Sequence, residues 1–156
     1  MCGIAGYLGE IPNSNNLLFE MINAVNHRGP DNHGIWFDEN AGIGFAHSRL
    51  SILDLSPAGH QPMHSVSDNL VMIFNGEIYN HYEIRSELEK ISNRNWHGHS
   101  DTETLLAAIE EWRLHNALKK IKGMFAIALW DKLNKKLSLV RDRLGEKPLY
   151  YGWVHG

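Results

Sequence analysis

The stretch LVMIFNG (70–76) predicts a buried β-strand that ends at the Asn-Gly pair. Other short apolar runs on both sides of it also predict strands. They are GIAGYL (3–8), GIWF (34–37), GIGFAHSRLSI (42–52), MFAIALWD (124–131), KLSLVRD (136–142) and PLYYGW (148–153). Because these strands cluster in runs instead of alternating with helices, we expect antiparallel sheets covered by helices, an α+β fold.

Three amphipathic segments predict the helices. Apolar residues recur at helical spacing over 15–27, and a second helix is predicted to begin at Asn80. Ser100 and Glu103 have the spacing of a capping box, so a third helix is expected to follow Ser100. No linker or internal repeat separates these elements, which indicates one domain.

Composition narrows the class of protein. The chain has 156 residues, 43% of them hydrophobic, and a net charge of −3 without a dominant basic block, which argues against nucleic acid or a membrane surface as partner. We find neither a signal peptide nor a run of about 18 apolar residues that could span a bilayer. The single cysteine cannot form an intrachain disulfide, so a cytoplasmic location is expected.

That cysteine, Cys2, directly follows the initiator methionine. If Met1 is removed, the thiol lies next to a free α-amine, whose reference pKa of roughly 7.7–8.0 suits a general base. Gly3 would let a substrate approach closely. The alternative is an inert cysteine buried in a strand, since free cysteine is among the most buried residue types.

Polar residues further along the chain could complete a site around this thiol. The Asn75 side chain and the Gly76 N–H could donate to an oxyanion, although Asn-Gly is also a common turn. Arg49 could bind a substrate carboxylate or form an internal salt bridge. Glu77 and Asp101 could hold a substrate ammonium, or they could be a solvated turn residue and a helix-start acid. Together these groups suit an α-amino acid with an electrophilic side-chain carbonyl, such as glutamine.

Eight motifs then follow one another in an order that resembles a known family. They are MCGIAGYLG, HRGPD, HSRLSILDL, GHQPM, FNGEIYN, HSDTE, GMFAIALWD and RDRLGEKPLYYG. This order resembles the N-terminal glutaminase domain of glutamine-dependent asparagine synthetases, a class II glutamine amidotransferase. The resemblance implies an N-terminal-nucleophile hydrolase fold, with two antiparallel sheets stacked between helical layers in four αββα layers.

The resemblance also implies a role for individual residues. Cys2 is implied as the nucleophile, with Asn75 and Gly76 forming the oxyanion hole. The residues implied to bind glutamine are Arg49, Leu50, Ile52, Glu77 and Asp101. Arg28 and the segment 141–148 match family signatures, and we expect them to shape the wall behind Cys2 and the approach to a partner domain.

Further implications concern the rest of the enzyme. The family joins this domain to a C-terminal synthetase domain that uses ATP and magnesium to activate aspartate, and that domain is not in this sequence. The glutaminase domain of the family also continues past residue 156, so we expect a C-terminally truncated domain that needs no cofactor of its own. The oligomeric state is open, a homodimer included.

Other hypotheses remain open at this point. The ammonia acceptor could be another carboxylate, such as a sugar acid of a surface polysaccharide. A non-catalytic glutamine-sensing domain would have lost site residues, and a redox-sensing thiol would need a resolving cysteine. Ten histidines raise the question of zinc, but neither the His97/His99 pair nor the His60/His64 pair has the company of a closed site, and no metal is expected.

Overall fold

The computed structural model describes residues 2–11, 13–51 and 56–154. Seven strands and three helices follow one another in these ranges. They are β1 (Gly3–Leu8), α1 (Ser14–Val25), β2 (Asn32–Asp38), β3 (Ile43–Arg49), β4 (Met63–His64), β5 (Leu70–Ile78), α2 (His81–Ile91), α3 (Asp101–Lys120), β6 (Gly123–Asp131) and β7 (Lys136–Arg141).

The strands form two sheets, both antiparallel throughout. The first sheet has the order β1-β3-β2 and the second has the order β4-β5-β6-β7. The predicted hairpin is β6–β7, and the predicted strand at 70–76 is the central β5. The α+β class with two antiparallel sheets is therefore confirmed.

The helices and sheets form four stacked layers, and an apolar cluster lies at each of the three interfaces between them. Alternate residues of a strand point to opposite faces, so each sheet has two faces to cover. On β3, Ala46 packs against α1, whereas Phe45 packs between the two sheets together with Ile73 of β5. On β5, Phe74 points the other way and packs against α3 through Leu105. The order of layers is thus helix, sheet, sheet, helices.

The start of α3 follows the predicted capping box in part. The Ser100 hydroxyl accepts a hydrogen bond from the Glu103 N–H at 3.1 Å. The Glu103 carboxylate turns back to the preceding loop and accepts from the N–H groups of His97 at 2.8 Å and Gly98 at 3.1 Å. These bonds hold the loop that leads into Asp101, the first residue of the helix.

Among the strand boundaries that differ from the prediction, two concern predicted site residues. The strand expected over 42–52 ends at Arg49, and residues 52–55 lie outside the described residues. The strand expected to end at Asn75-Gly76 continues to Ile78, because both residues pair with β6, opposite Ala126 and Phe125. The interpretation of Asn-Gly as a turn is therefore wrong.

The prediction of a strand over 148–153 is also wrong. This segment is irregular, and Tyr150 and Trp153 are 91% and 93% exposed. Its aromatic residues have high strand propensity, but that propensity reflects packing against neighbouring strands. The described residues supply no such neighbour here, since the sheet ladders of the described chain end at Arg141.

Candidate functional site

The predicted polar residues continue the layer between the two sheets. On β3, Phe45 faces the second sheet, so Arg49, four residues on, points to the same side. On β5, Ile73 faces the first sheet, and Asn75 and Glu77 follow it on the same face. The apolar core between the sheets therefore changes into a polar site at one end of these strands.

A cavity of about 110 Å³ lies at this end of the sandwich. Its lining includes seven of the eight predicted site residues, contributed by both sheets, by the segment after β3 and by α3. They are Cys2, Arg49, Leu50, Asn75, Gly76, Glu77 and Asp101. The eighth, Ile52, lies outside the described residues.

The thiol of Cys2 is half-buried and is held by the backbone of Leu50. The Leu50 N–H donates to Sγ at 3.4 Å, and Sγ lies 3.8 Å from the Leu50 carbonyl oxygen. Arg28 donates from Nε to the carbonyl oxygen of Cys2 at 3.2 Å, a position behind Cys2 of the kind predicted for it. Both contacts fix the backbone around the thiol.

The N–H of Gly76 points to the edge of β5 that borders the cavity. Along a strand, the N–H groups of every second residue point to the same edge. The Phe74 N–H donates to Gln61 Oε1 at 2.6 Å, and the Ile78 N–H donates to Asp101 Oδ2 at 2.8 Å, both on the side away from β6. Gly76 lies between them. Its partner in the register, Phe125, donates its own N–H to Asp142 on the far side of β6.

Gly76 also has no room for a side chain. A Cβ atom there would lie far inside van der Waals distance of the Met124 backbone oxygen and of the Phe125 Cα. A glycine is therefore required where β5 passes close to β6, at the position that presents its N–H to the cavity.

Arg49 is buried, with 8% of its surface exposed, and contributes to the cavity wall. Its guanidinium donates from NH1 to the backbone oxygen of Ser56 at 3.0 Å, which ties the segment after β3 to the site. The planar guanidinium of an arginine has N–H donors whose geometry matches the two oxygens of a carboxylate.

Asp101 is a buried acid whose surroundings shift its pKa. It is 5% exposed, and burial raises its pKa to about 6, aided by repulsion from Glu77 and opposed by hydrogen bonds from the Ile78 and Thr102 N–H groups. A cationic ligand would lower this pKa again, because an opposite charge in a buried site favours ionisation.

The loop after β7 brings a second cation to the cavity. Asp142 accepts hydrogen bonds from the N–H groups of Leu144, Glu146 and Lys147 at 2.8–3.1 Å. Although burial raises the pKa of Asp142, backbone hydrogen bonds led by that of Lys147 outweigh it and hold the pKa at about 2. The ionised carboxylate thus folds the loop so that Lys147 lines the cavity, which extends the predicted wall-shaping role of 141–148.

Residues that the sequence analysis did not assign also line the cavity, among them Gln61 and Thr102. Gln61 lies in GHQPM, one of the eight quoted motifs, and the order of those motifs was the only signal that pointed to it. Thr102 directly follows Asp101 in HSDTE. Neither residue type by itself indicates a site.

Burial and hydrogen bonds define the surroundings of three described histidines. Burial between the sheets lowers the pKa of His47 to about 3, so its ring is neutral at ordinary pH. His60 hydrogen-bonds Asn32 at 3.0 Å, and His64 contacts Asp68. Across the part of the chain that the structure describes, no three His, Cys, Asp or Glu side chains converge to hold a metal ion.

Comparison with known proteins places the chain among amidotransferases. A family model described as "Glutamine amidotransferase domain" matches residues 1–156. The chain is 40% identical over 160 residues to "Asparagine synthetase [glutamine-hydrolyzing] 1" of Bacillus subtilis, covering 99% of this chain and 24% of that protein. It is 34% identical over 163 residues to "Amidase chry2" of Gibberella zeae, covering 97% of this chain and 24% of that protein.

The solved structures agree in fold. The glutamine phosphoribosylpyrophosphate amidotransferase of B. subtilis superposes with a TM-score of 0.65 at 18% identity, over 88% of this chain and 36% of that one. The predicted N-terminal-nucleophile hydrolase fold is thereby confirmed. The chain spans about a quarter of the length of the curated relatives it matches.

Proposed function

Because the chain belongs to the family of glutamine amidotransferase domains, we propose that its cavity hydrolyses glutamine by way of Cys2. The observation that carries this proposal is the convergence of seven predicted site residues on one cavity. They come from the residue before β1, from β3 and the residue after it, from β5 and from α3, and they are separated by up to 99 positions in the sequence, between Cys2 and Asp101.

The proposed reaction begins with removal of Met1, which exposes the α-amine of Cys2. The amine takes the thiol proton through a water molecule, and the thiolate attacks the side-chain amide carbon of glutamine. The amide of Asn75 and the N–H of Gly76 donate to the developing oxyanion. The protonated amine then returns the proton to departing ammonia, and a water molecule hydrolyses the thioester to glutamate.

The remaining charged groups are proposed to hold the two ends of the amino acid. Arg49 binds the α-carboxylate, and Glu77 and Asp101 bind the α-ammonium, with Leu50 and Ile52 in contact through their backbone. The raised pKa of Asp101 supports this assignment, because a buried acid without a cation is poorly stabilised in its charged form. The site thus matches a zwitterion with a neutral reactive end.

The relatives support a proposal for the fate of the ammonia. Relatives named asparagine synthetase [glutamine-hydrolyzing] support aspartate as the proposed acceptor. The family resemblance implies that a C-terminal synthetase domain would amidate it with ATP and Mg²⁺. Among the described residues, no group of side chains converges that could hold the Mg²⁺. A glutamine sensor that had lost catalysis is disfavoured, since Cys2, Asn75 and Gly76 are all present.

We further propose a cytoplasmic location, which the single cysteine supports. None of the described helices has the length and apolar character needed to cross a membrane.

The proposed function is tested by 6-diazo-5-oxo-norleucine, a glutamine analogue that alkylates glutaminase nucleophiles. The untagged protein is expected to have an intact mass without Met1 and to gain one adduct that maps to Cys2. The matched control, Cys2→Ser, should gain none. A folded protein that lacks Met1 and still gains no adduct would contradict the proposal.

The pH dependence of kcat/KM for glutamine should show two successive acid limbs. The first, below roughly 8, reports protonation of the α-amine base. The second begins near the pKa of Asp101, about 6, because the protonated acid cannot hold the substrate ammonium. The slope of log kcat/KM against pH is therefore expected to rise from about one to about two below this point.

The variant Asp101→Asn separates the two limbs. It should lower kcat/KM overall and remove only the lower limb, leaving a slope of about one. The other charged groups that line the cavity, Arg49, Glu77 and Lys147, are unchanged in this variant. A second limb that persists near pH 6 in Asp101→Asn would assign it to another group.

A further inference from the structure

The ladder between β4 and β5 ends just before the oxyanion residues. β4 contributes only two pairs, Met63 with Met72 and His64 with Val71. Continued by two residues beyond the Met63–Met72 pair, this register would place residue 61 opposite Phe74. There the Phe74 N–H donates to the side-chain Oε1 of Gln61 at 2.6 Å. A side chain thus replaces the backbone of the neighbouring strand at this position.

The other end of the same amide reaches α3. Gln61 Nε2 lies 3.5 Å from Thr102 Oγ1, and the side chain is buried, with Gln61 5% exposed. Phe74 directly precedes Asn75, and Thr102 directly follows Asp101. One amide therefore bridges the neighbours of two site residues that belong to different elements.

The bridge has a consequence for the N–H of Gly76. Along the edge of β5, the N–H groups of Phe74 and Ile78 are taken by Gln61 and Asp101, respectively. Gly76 lies between them on the same edge. A backbone strand paired here with β5 would also cover the Gly76 N–H. The Gln61 side chain accepts the hydrogen bond from the Phe74 N–H and extends no further along the edge of β5.

We propose that Gln61 is a positioning residue of the glutaminase site, which sets the spacing between the oxyanion strand β5 and the N-terminus of α3. This inference rests on the proposed function. The Gln61 amide accepts a hydrogen bond from the buried Phe74 N–H, because a buried N–H without a partner destabilises the fold. It also leaves the edge of β5 at Gly76 open to substrate. Its contact with Thr102 adds a second connection between β5 and the start of α3, beside the hydrogen bond from the Ile78 N–H to Asp101.

Three variants test the bridge at its two ends. Gln61→Met keeps the length of the side chain and removes both polar ends. Thr102→Val removes only the acceptor of the amide, and Thr102→Ser restores that acceptor. We expect Gln61→Met to lower kcat by about tenfold or more and Thr102→Val by about threefold to tenfold, because small displacements of reacting groups are costly. Thr102→Ser should stay within about twofold of the wild type.

A second readout separates positioning from general damage. Iodoacetamide needs the thiol and the α-amine of Cys2 but none of the oxyanion geometry, so its rate of labelling should change less than about twofold in Gln61→Met and Thr102→Val. The double variant should be no slower than Gln61→Met alone, because both substitutions break the same bridge.

Several results would overturn the inference. One is a folded Gln61→Met protein with kcat within twofold of the wild type. Another is an equal loss of kcat and of iodoacetamide labelling, which would indicate a purely structural role. If Gln61→Met does not fold, a Thr102→Val protein with unchanged kcat overturns it instead. Failure of the proposed function is distinct, because the wild type itself would then neither hydrolyse glutamine nor react with the diazo analogue.

Discussion

An N-terminal extension that retains the thiol of Cys2 is expected to abolish glutamine hydrolysis while leaving the fold intact. The extension converts the α-amine into a peptide N–H, which cannot accept the thiol proton. The loss of a general base typically lowers a rate by roughly 10²–10⁴-fold, and here the thiol has no second base in the proposed reaction. The measurement is glutamate release by the extended protein, with its circular dichroism spectrum compared to that of the untagged protein.

The control is the same protein after the extension is cut off directly before Cys2. Activity should return with cleavage, which shows that the amine and not the handling of the protein was limiting. Full turnover in the uncleaved protein would contradict the proposed role of the α-amine as the general base.

The variant Asn75→Ala should lower kcat by roughly 10²–10³-fold with a much smaller change in KM, as expected for a donor that acts mainly in the transition state. Asn75 is 4% exposed and lines the cavity, so the substitution removes a donor without opening the site to solvent. Steady-state rates over a range of glutamine concentrations provide both constants. Asn23→Ala, on the exposed face of α1, is the matched control and should keep the wild-type rate. A change below about threefold in Asn75→Ala would leave Asn75 without a catalytic part.

Local signals were sufficient for much of the fold. The capping box at Ser100 acts within four residues, and the apolar run at 70–76 is one continuous stretch of sequence. Such elements are predicted well because the forces that specify them are short-range. The family resemblance then supplied the stacking of the layers, which the spacing of apolar residues could not.

Signals that depend on distant partners were ambiguous. Asn75-Gly76 is typical of a turn, and only pairing with β6, about fifty residues later in the chain, makes it part of a strand. The segment 148–153 has strand propensity but is irregular. The part played by Gln61 depends on Phe74 and Thr102, which the fold alone brings together. No property of a glutamine residue in isolation predicts this.

The division of the cavity between two sheets makes the active site sensitive to shear. Arg49 belongs to the first sheet and Cys2 directly precedes β1 of that sheet, whereas Asn75 and Glu77 belong to the second sheet. Packing such as that of Phe45 against Ile73 keeps the two sheets aligned. A slip of one sheet over the other by a fraction of an ångström would separate nucleophile from oxyanion donors and leave both sheets whole. Close-packed interiors resist such slips and transmit strain when they are repacked. The apolar cluster between the sheets lies outside the proposed glutamine site, yet its packing determines how precisely the nucleophile and the oxyanion donors are aligned.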